Sequence, residues 1–183
     1  RAVFGLGLLA FLMFIVEGAM VDWSAIFLSQ EKGASAAWAA AGFGMFTAAM
    51  FCTRMIGNQI ILRLGRQLTV VGGAALIVAG VAVAILAPWL AVSALGFGLI
   101  GIGAANIVPI LISTAAQTPG IPPSVAVGAV GTMLSTGFLF GPPVIGFVAD
   151  HFGMPTGIAV IGLAALAVGI AAALRTWPPT PGS

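Results

Sequence analysis

Gly146-Phe147-Val148-Ala149-Asp150-His151-Phe152-Gly153 is a short polar break behind a long apolar run, and Asn58-Gln59-Ile60-Ile61-Leu62-Arg63-Leu64-Gly65-Arg66 is its earlier counterpart. Their glycines, Gly65 and Gly153, stand 88 residues apart. Working outward from these breaks, apolar stretches run roughly 3–28, 36–62, 68–87, 90–113, 124–149 and 155–175. Each is close to the roughly 20 residues a helix needs to span hydrocarbon. The six runs form two sets of three, each with the related break after its second member. Three is odd, so the second set enters the bilayer from the opposite side, and the two units are inverted relative to each other. The expected fold is an all-α membrane protein of six transmembrane helices in two inverted three-helix repeats.

Composition supports a membrane chain. Of 183 residues, 61% are apolar and 5% charged, with a mean hydropathy of +1.21. Ten Lys, Arg, Asp and Glu side chains cannot solvate the surface of an 18.3 kDa soluble domain. The basic residues are also too few and scattered to grip phosphates, which excludes nucleic acid as a partner. Transmembrane β-strands are about half as long and alternate in polarity, which these runs do not, so a barrel is a poor alternative. Cys52, without a second cysteine, supports neither a disulfide nor a cysteine metal site. Enzyme chemistry is poorly served: the single histidine, His151, lies in an outer break, no G-x-S-x-G occurs, and no metal or haem cluster is present.

Arg1, Arg63, Arg66 and Arg175 fall on the side shared by the two ends of the segment, and Lys32 on the other, so both termini are expected to be cytoplasmic. Trp23, Trp38 and Trp89 are placed at the outer boundary and Trp177 at the inner one, as in an interfacial belt. The chain opens on Arg1-Ala2-Val3 without a Met, and its first apolar run is too long for a signal peptide. It reads as a fragment.

Chemistry must come from polar groups inside the spans. Glu17 lies near the middle of the first helix, where an ionised side chain costs about 2.5–3.5 kcal/mol or more. It therefore faces a cavity or a partner, either as a proton carrier or as a structural Glu holding two helices together. Asp22 sits nearer the outer interface and does not share the Glu17 face, whereas Ser24 does; Asp22 reads first as an interface carboxylate in reach of water or Lys32. Arg54 in the inner half of the second helix can extend to the cytoplasm or pair with Glu17 across a helix interface, with the first favoured. Asn106, with Pro109 three residues on, interrupts a fourth helix rich in glycine and frees a carbonyl that a cavity, a water or a neighbour must satisfy; the stretch reads equally as a binding site or as close helix packing without one. Thr132, Ser135 and Thr136 are weaker candidates, since hydroxyls bond the preceding turn.

These residues resemble the major facilitator superfamily of transporters. Gly146-x3-Asp150-His151-x-Gly153 is similar to that superfamily's G-x3-D-R-x-G loop motif with His for Arg; the earlier version keeps Arg63, Gly65 and Arg66 but has Asn58 for Gly and Leu62 for Asp. Gly128-x8-Gly137-x3-Gly141-Pro142-x2-Ile145-Gly146 resembles the fifth-helix pattern of proton-coupled antiporters, departing at Ile145. Glu17 to Ser24, together with Arg54-x-x-Gly57, resembles the seventh and eighth helices of the bacterial fucose-permease-like branch.

The resemblance implies that residues 1–183 are the carboxy-terminal six-helix bundle, half of a twelve-helix fold in the bacterial inner membrane. It implies alternating-access transport of a small solute, with protons as the coupling ion, no other cofactor, and an amino-terminal half as partner. Glu17 then takes and releases the proton and Asn106 binds solute, with Asp22 and Arg54 on the pathway. Arg63, Gly65, Arg66, Gly141, Pro142, Gly146, Asp150 and Gly153 serve gating and packing. The rival reading is a six-span oligomeric channel or a non-transporting assembly subunit.

Overall fold

The computed structural model describes residues 2–178; Arg1, used above for orientation, lies outside them. Seven helices follow one another: α1 Ala2–Lys32, α2 Ala36–Met55, α3 Gly57–Leu86, α4 Leu90–Ala104, α5 Ile107–Ala116, α6 Pro123–Phe152 and α7 Met154–Leu174. No strand occurs among the described residues. In hydrocarbon every backbone N–H and C=O must be satisfied within the segment, and these apolar sequences meet that condition as helices. Six helices are long and apolar enough to cross a membrane, with α4 and α5 the two halves of the fourth, Leu90–Ala116.

The junctions are tighter than the sequence indicates. Arg63 to Gln67 was expected as a loop, yet α3 runs through it and only Gly65 leaves helical geometry, at φ 77°, ψ 166°. Residues 57–64 thus prolong the second span, and 66–86 form the third. Gly153, at φ 89°, ψ 153°, is likewise the sole residue between α6 and α7. Both glycines occupy a region closed to side-chain-bearing residues, which explains why the two related breaks end in Gly. The second span, read as continuous over 36–62, is kinked at Ile56 (φ −105°, ψ 7°). The fourth is interrupted at Ala105-Asn106, where the sequence places its break, and Asn106 has almost the same dihedrals as Ile56 (φ −107°, ψ −8°).

Packing follows the repeat. The first span packs on the fifth and sixth, the fourth packs on the second and third, and the third meets the sixth. Exchanging the first three spans for the last three leaves this pattern unchanged, as a two-fold axis in the membrane plane requires. First and fourth spans are the most buried and the second and fifth the least. Toward the end of α1, buried Phe27 meets Phe97 of α4 edge to face, with centroids 5.9 Å apart.

Small residues make the close approaches possible. A Cβ on Gly141 would lie 3.1 Å from the Ile15 Cα of α1, and one on Gly80 would lie 2.6 Å from the Gly96 carbonyl oxygen of α4. Pro142 and Pro143 lie inside α6 without ending it. Trp23 lays its ring over Gly146 near the end of α6, while Trp38 and Trp89 are exposed. Cys52 is a free, exposed thiol on α2.

Candidate functional site

Glu17 and Arg54 form the one ion pair among the described residues, Arg54 Nη2 to Glu17 Oε1, 3.8 Å. Glu17 is largely buried, with 19% of its side chain exposed against 45% for Arg54. At that separation the pair is electrostatic rather than a short charge-assisted hydrogen bond of about 2.7–2.9 Å. Glu17 Oε1 is buried with no hydrogen-bond donor, so Arg54 is its charge partner in a setting where an unpaired carboxylate is costly.

Arg54 does not run toward the inner surface, the reading its sequence position favoured. Its Nε–H donates to the Ala105 carbonyl across 3.1 Å. Ala105 is four residues before Pro109, so its carbonyl is the acceptor left free by a residue with no N–H. The neighbour that this break requires is thus Arg54. One guanidinium, with five N–H donors, holds the acid of the first span and the broken backbone of the fourth.

Asn106 is buried, 7% exposed, and its side-chain amide presses against Gly57, where a Cβ could not be accommodated. The breaks of the second and fourth spans therefore face each other through Gly57 and Asn106. Asn106 also lines a cavity of about 290 Å³ with Thr53, Thr69 and Gly73.

Asp22 is exposed and is not brought to this cluster. Nor does Lys32 serve it, for Lys32 Nζ donates to the carbonyls of Ala87 at 2.7 Å and Ile85 at 3.1 Å, capping the end of the third span. Ser24 is buried and donates to its own helix at the Met20 carbonyl, 2.5 Å away. Thr132, Ser135 and Thr136 likewise bond carbonyls of Gly128, Gly131 and Thr132.

At the motif breaks, Arg66 is buried, 4% exposed, and donates to Gln117 Oε1 at 3.0 Å, beside the C-terminal end of α5, where a cation suits the helix dipole. Arg63 is exposed. Asp150 is exposed and outside any ion pair of the described residues; His151 Nδ1 lies 2.9 Å from the Phe147 carbonyl oxygen. Gln67, which the sequence reading passed over, bonds the carbonyls of Ala172 and Ala173 and ties the third span to the sixth. A polar residue one step past Gly65-Arg66 was the available signal for it.

Six spans in two inverted sets, with the broken second and fourth spans joined through Arg54 and Ala105 and a charge pair from Arg54 to Glu17 of the first span, make the half-bundle of a major facilitator transporter fold. No family model matches the chain. Over 167 residues it is 36% identical to an uncharacterised MFS-type transporter of Yersinia pestis, covering 91% of this chain and 44% of that one. It is 32% identical over 167 residues to the membrane protein MosC of Rhizobium meliloti, covering 91% and 40%. Two solved structures share the fold at 17% identity: the peptide transporter POT bound to alafosfalin, TM-score 0.81, covering 93% of this chain and 37% of that one; and the POT family transporter PepTSo, TM-score 0.82, covering 100% and 40%. Along nearly its whole length the chain is thus similar to a transporter of the major facilitator superfamily, and it shares the fold of half of such a transporter. It spans less than half the length of the curated relatives it matches.

Proposed function

We propose that this chain is the carboxy-terminal half of a carrier that moves a small solute by alternating access, driven by protons taken and released at Glu17. The observation that carries the reading is the Glu17–Arg54 pair (3.8 Å) held inside the spans beside the break at Asn106. Intramembrane ionisable residues mark proton and solute paths, and midplane sites beside broken helices are the usual place for them in secondary transporters. The solute path then runs along the first and fourth spans. Asn106, pressed on Gly57, contributes through the amide edge open to the neighbouring cavity. An amino-terminal six-helix half supplies the opposite wall, against the little-buried second and fifth spans. Protons are the only coupling agent required; no catalytic step or cofactor enters.

Arg63, Arg66 and Arg175 at one end and Lys32 at the other support cytoplasmic termini in a bacterial inner membrane. The decisive measurement is uptake by the full-length carrier in proteoliposomes under an imposed pH gradient. Glu17→Gln is expected to abolish gradient-driven accumulation while leaving solute exchange between equal pools. Accumulation by Glu17→Gln equal to the parent's would remove the proton role. Uptake without saturation would favour a channel.

A further inference from the structure

Arg54 has two partners on two different spans, and only one of them can change its charge. We propose that Arg54 is a positioning residue through which the charge on Glu17 sets how firmly the break in the fourth span is held. This rests on the reading that Glu17 exchanges a proton. Ionised Glu17 draws Arg54 Nη2 from one side at 3.8 Å, and the Ala105 carbonyl accepts from Nε at 3.1 Å on the other. The acceptor exists because Pro109 has no N–H to give it. When Glu17 takes up a proton, the guanidinium loses its counter-charge at intramembrane depth, where an unpaired cation is costly. It leaves for water or a substrate anion, and the Ala105 carbonyl loses its donor. The fourth span is then free to bend at Ala105-Asn106, and the Gly57–Asn106 contact with the second span loosens.

No other group among the described residues competes for this role: on α1 itself Asp22 and Glu31 are exposed and Lys32 is bonded to Ile85 and Ala87, while Arg175, beyond α7, lies beside Gly5 near the opposite end of α1. Of the elements packed on α1, α4, α5 and α7 contain no ionisable residue, and α6 has only Asp150 and His151 at its far end. On α2 the ionisable residues are Cys52 and Arg54. Arg54 is therefore the charged side chain that answers Glu17 among the described residues.

The test is hydrogen–deuterium exchange of the full-length carrier in lipid nanodiscs, read on peptides covering residues 101–112. Glu17→Gln is expected to raise exchange at Asn106 to Ile110 at least about fivefold, the lower end of usual coupling between sites. Lowering the pH on the parent protein does the same once exchange is expressed relative to the intrinsic amide rate at each pH, which itself falls with pH. Pro109→Ala returns a backbone N–H to the Ala105 carbonyl, so exchange falls and Glu17→Gln has no effect on that background. Should Pro109→Ala fail to fold, Arg54→Lys replaces it. A single ammonium keeps the charge but lacks the fork that holds both partners, so exchange starts high and ignores Glu17→Gln. Exchange within twofold of the parent in Glu17→Gln, or a full Glu17→Gln effect persisting on Pro109→Ala or Arg54→Lys, overturns the proposal. Loss of proton-driven uptake with unchanged exchange removes this tie and leaves the proton role of Glu17 standing; raised exchange with uptake that never follows the gradient does the reverse.

Discussion

An alanine at position 65 would meet no atom within 4 Å of its Cβ, yet the backbone there sits at φ 77°. Any cost of Gly65→Ala is therefore backbone strain alone, about 1–3 kcal/mol. The same holds at Gly153, with φ 89° and only Pro155 Cδ nearby at 3.8 Å. Each substitution is expected to lower the melting temperature of the purified protein, and the double mutant to show the sum, since the two positions lie in separate junctions. Equal stability in either single mutant would show that the junction relaxes to another geometry. Glu17 was legible as a buried acid needing a partner, because an isolated charge in hydrocarbon is expensive. Its partner was not, since Arg54 can reach several places and only the three-dimensional path of the kinked second span decides among them. The destination of Gln67 was equally hidden, as it depends on where the sixth span ends.

Element-scale packing depends on absent side chains. Gly141 brings α6 so near that a Cβ would lie 3.1 Å from the Ile15 Cα, and a backbone atom cannot rotate aside. Gly141→Leu is expected to cost at least the roughly 1–3 kcal/mol of ordinary overpacking and to separate the first and fifth spans, measured as lower thermal stability in detergent. Gly128→Leu is the control, since its Cβ would meet nothing within 4 Å; it should leave stability unchanged. The break in the fourth span could be read from Asn106 and Pro109 because proline removes a donor wherever it stands. The kink at Ile56 could not, for no proline lies nearby and a Gly after it is common in membrane helices. Polar breaks also looked longer than they are. Charged residues mark the ends of hydrocarbon, whereas helices continue through them and turn on single glycines at Gly65 and Gly153.

At the scale of the whole molecule, six spans and their inverted grouping were open to the sequence because length, hydropathy and an 88-residue spacing are one-dimensional quantities. What faces what is not one-dimensional, and Lys32 caps the end of the third span rather than meeting Asp22 for that reason. The second and fifth spans, least buried of the six, present Phe51 and Met55 on one and Leu139 and Phe147 on the other. Co-expression of this chain with its proposed amino-terminal half as two separate polypeptides is expected to yield a complex that survives purification; recovery of this chain alone would count against that partnership. Cys52 lies on that same second span, two residues before Arg54, and its thiol is exposed and without a companion in the chain. This chain thus holds one native spectroscopic handle: a maleimide dye attached there would sit on the little-buried second span, and under the proposed pairing of two halves its reaction rate would time their parting.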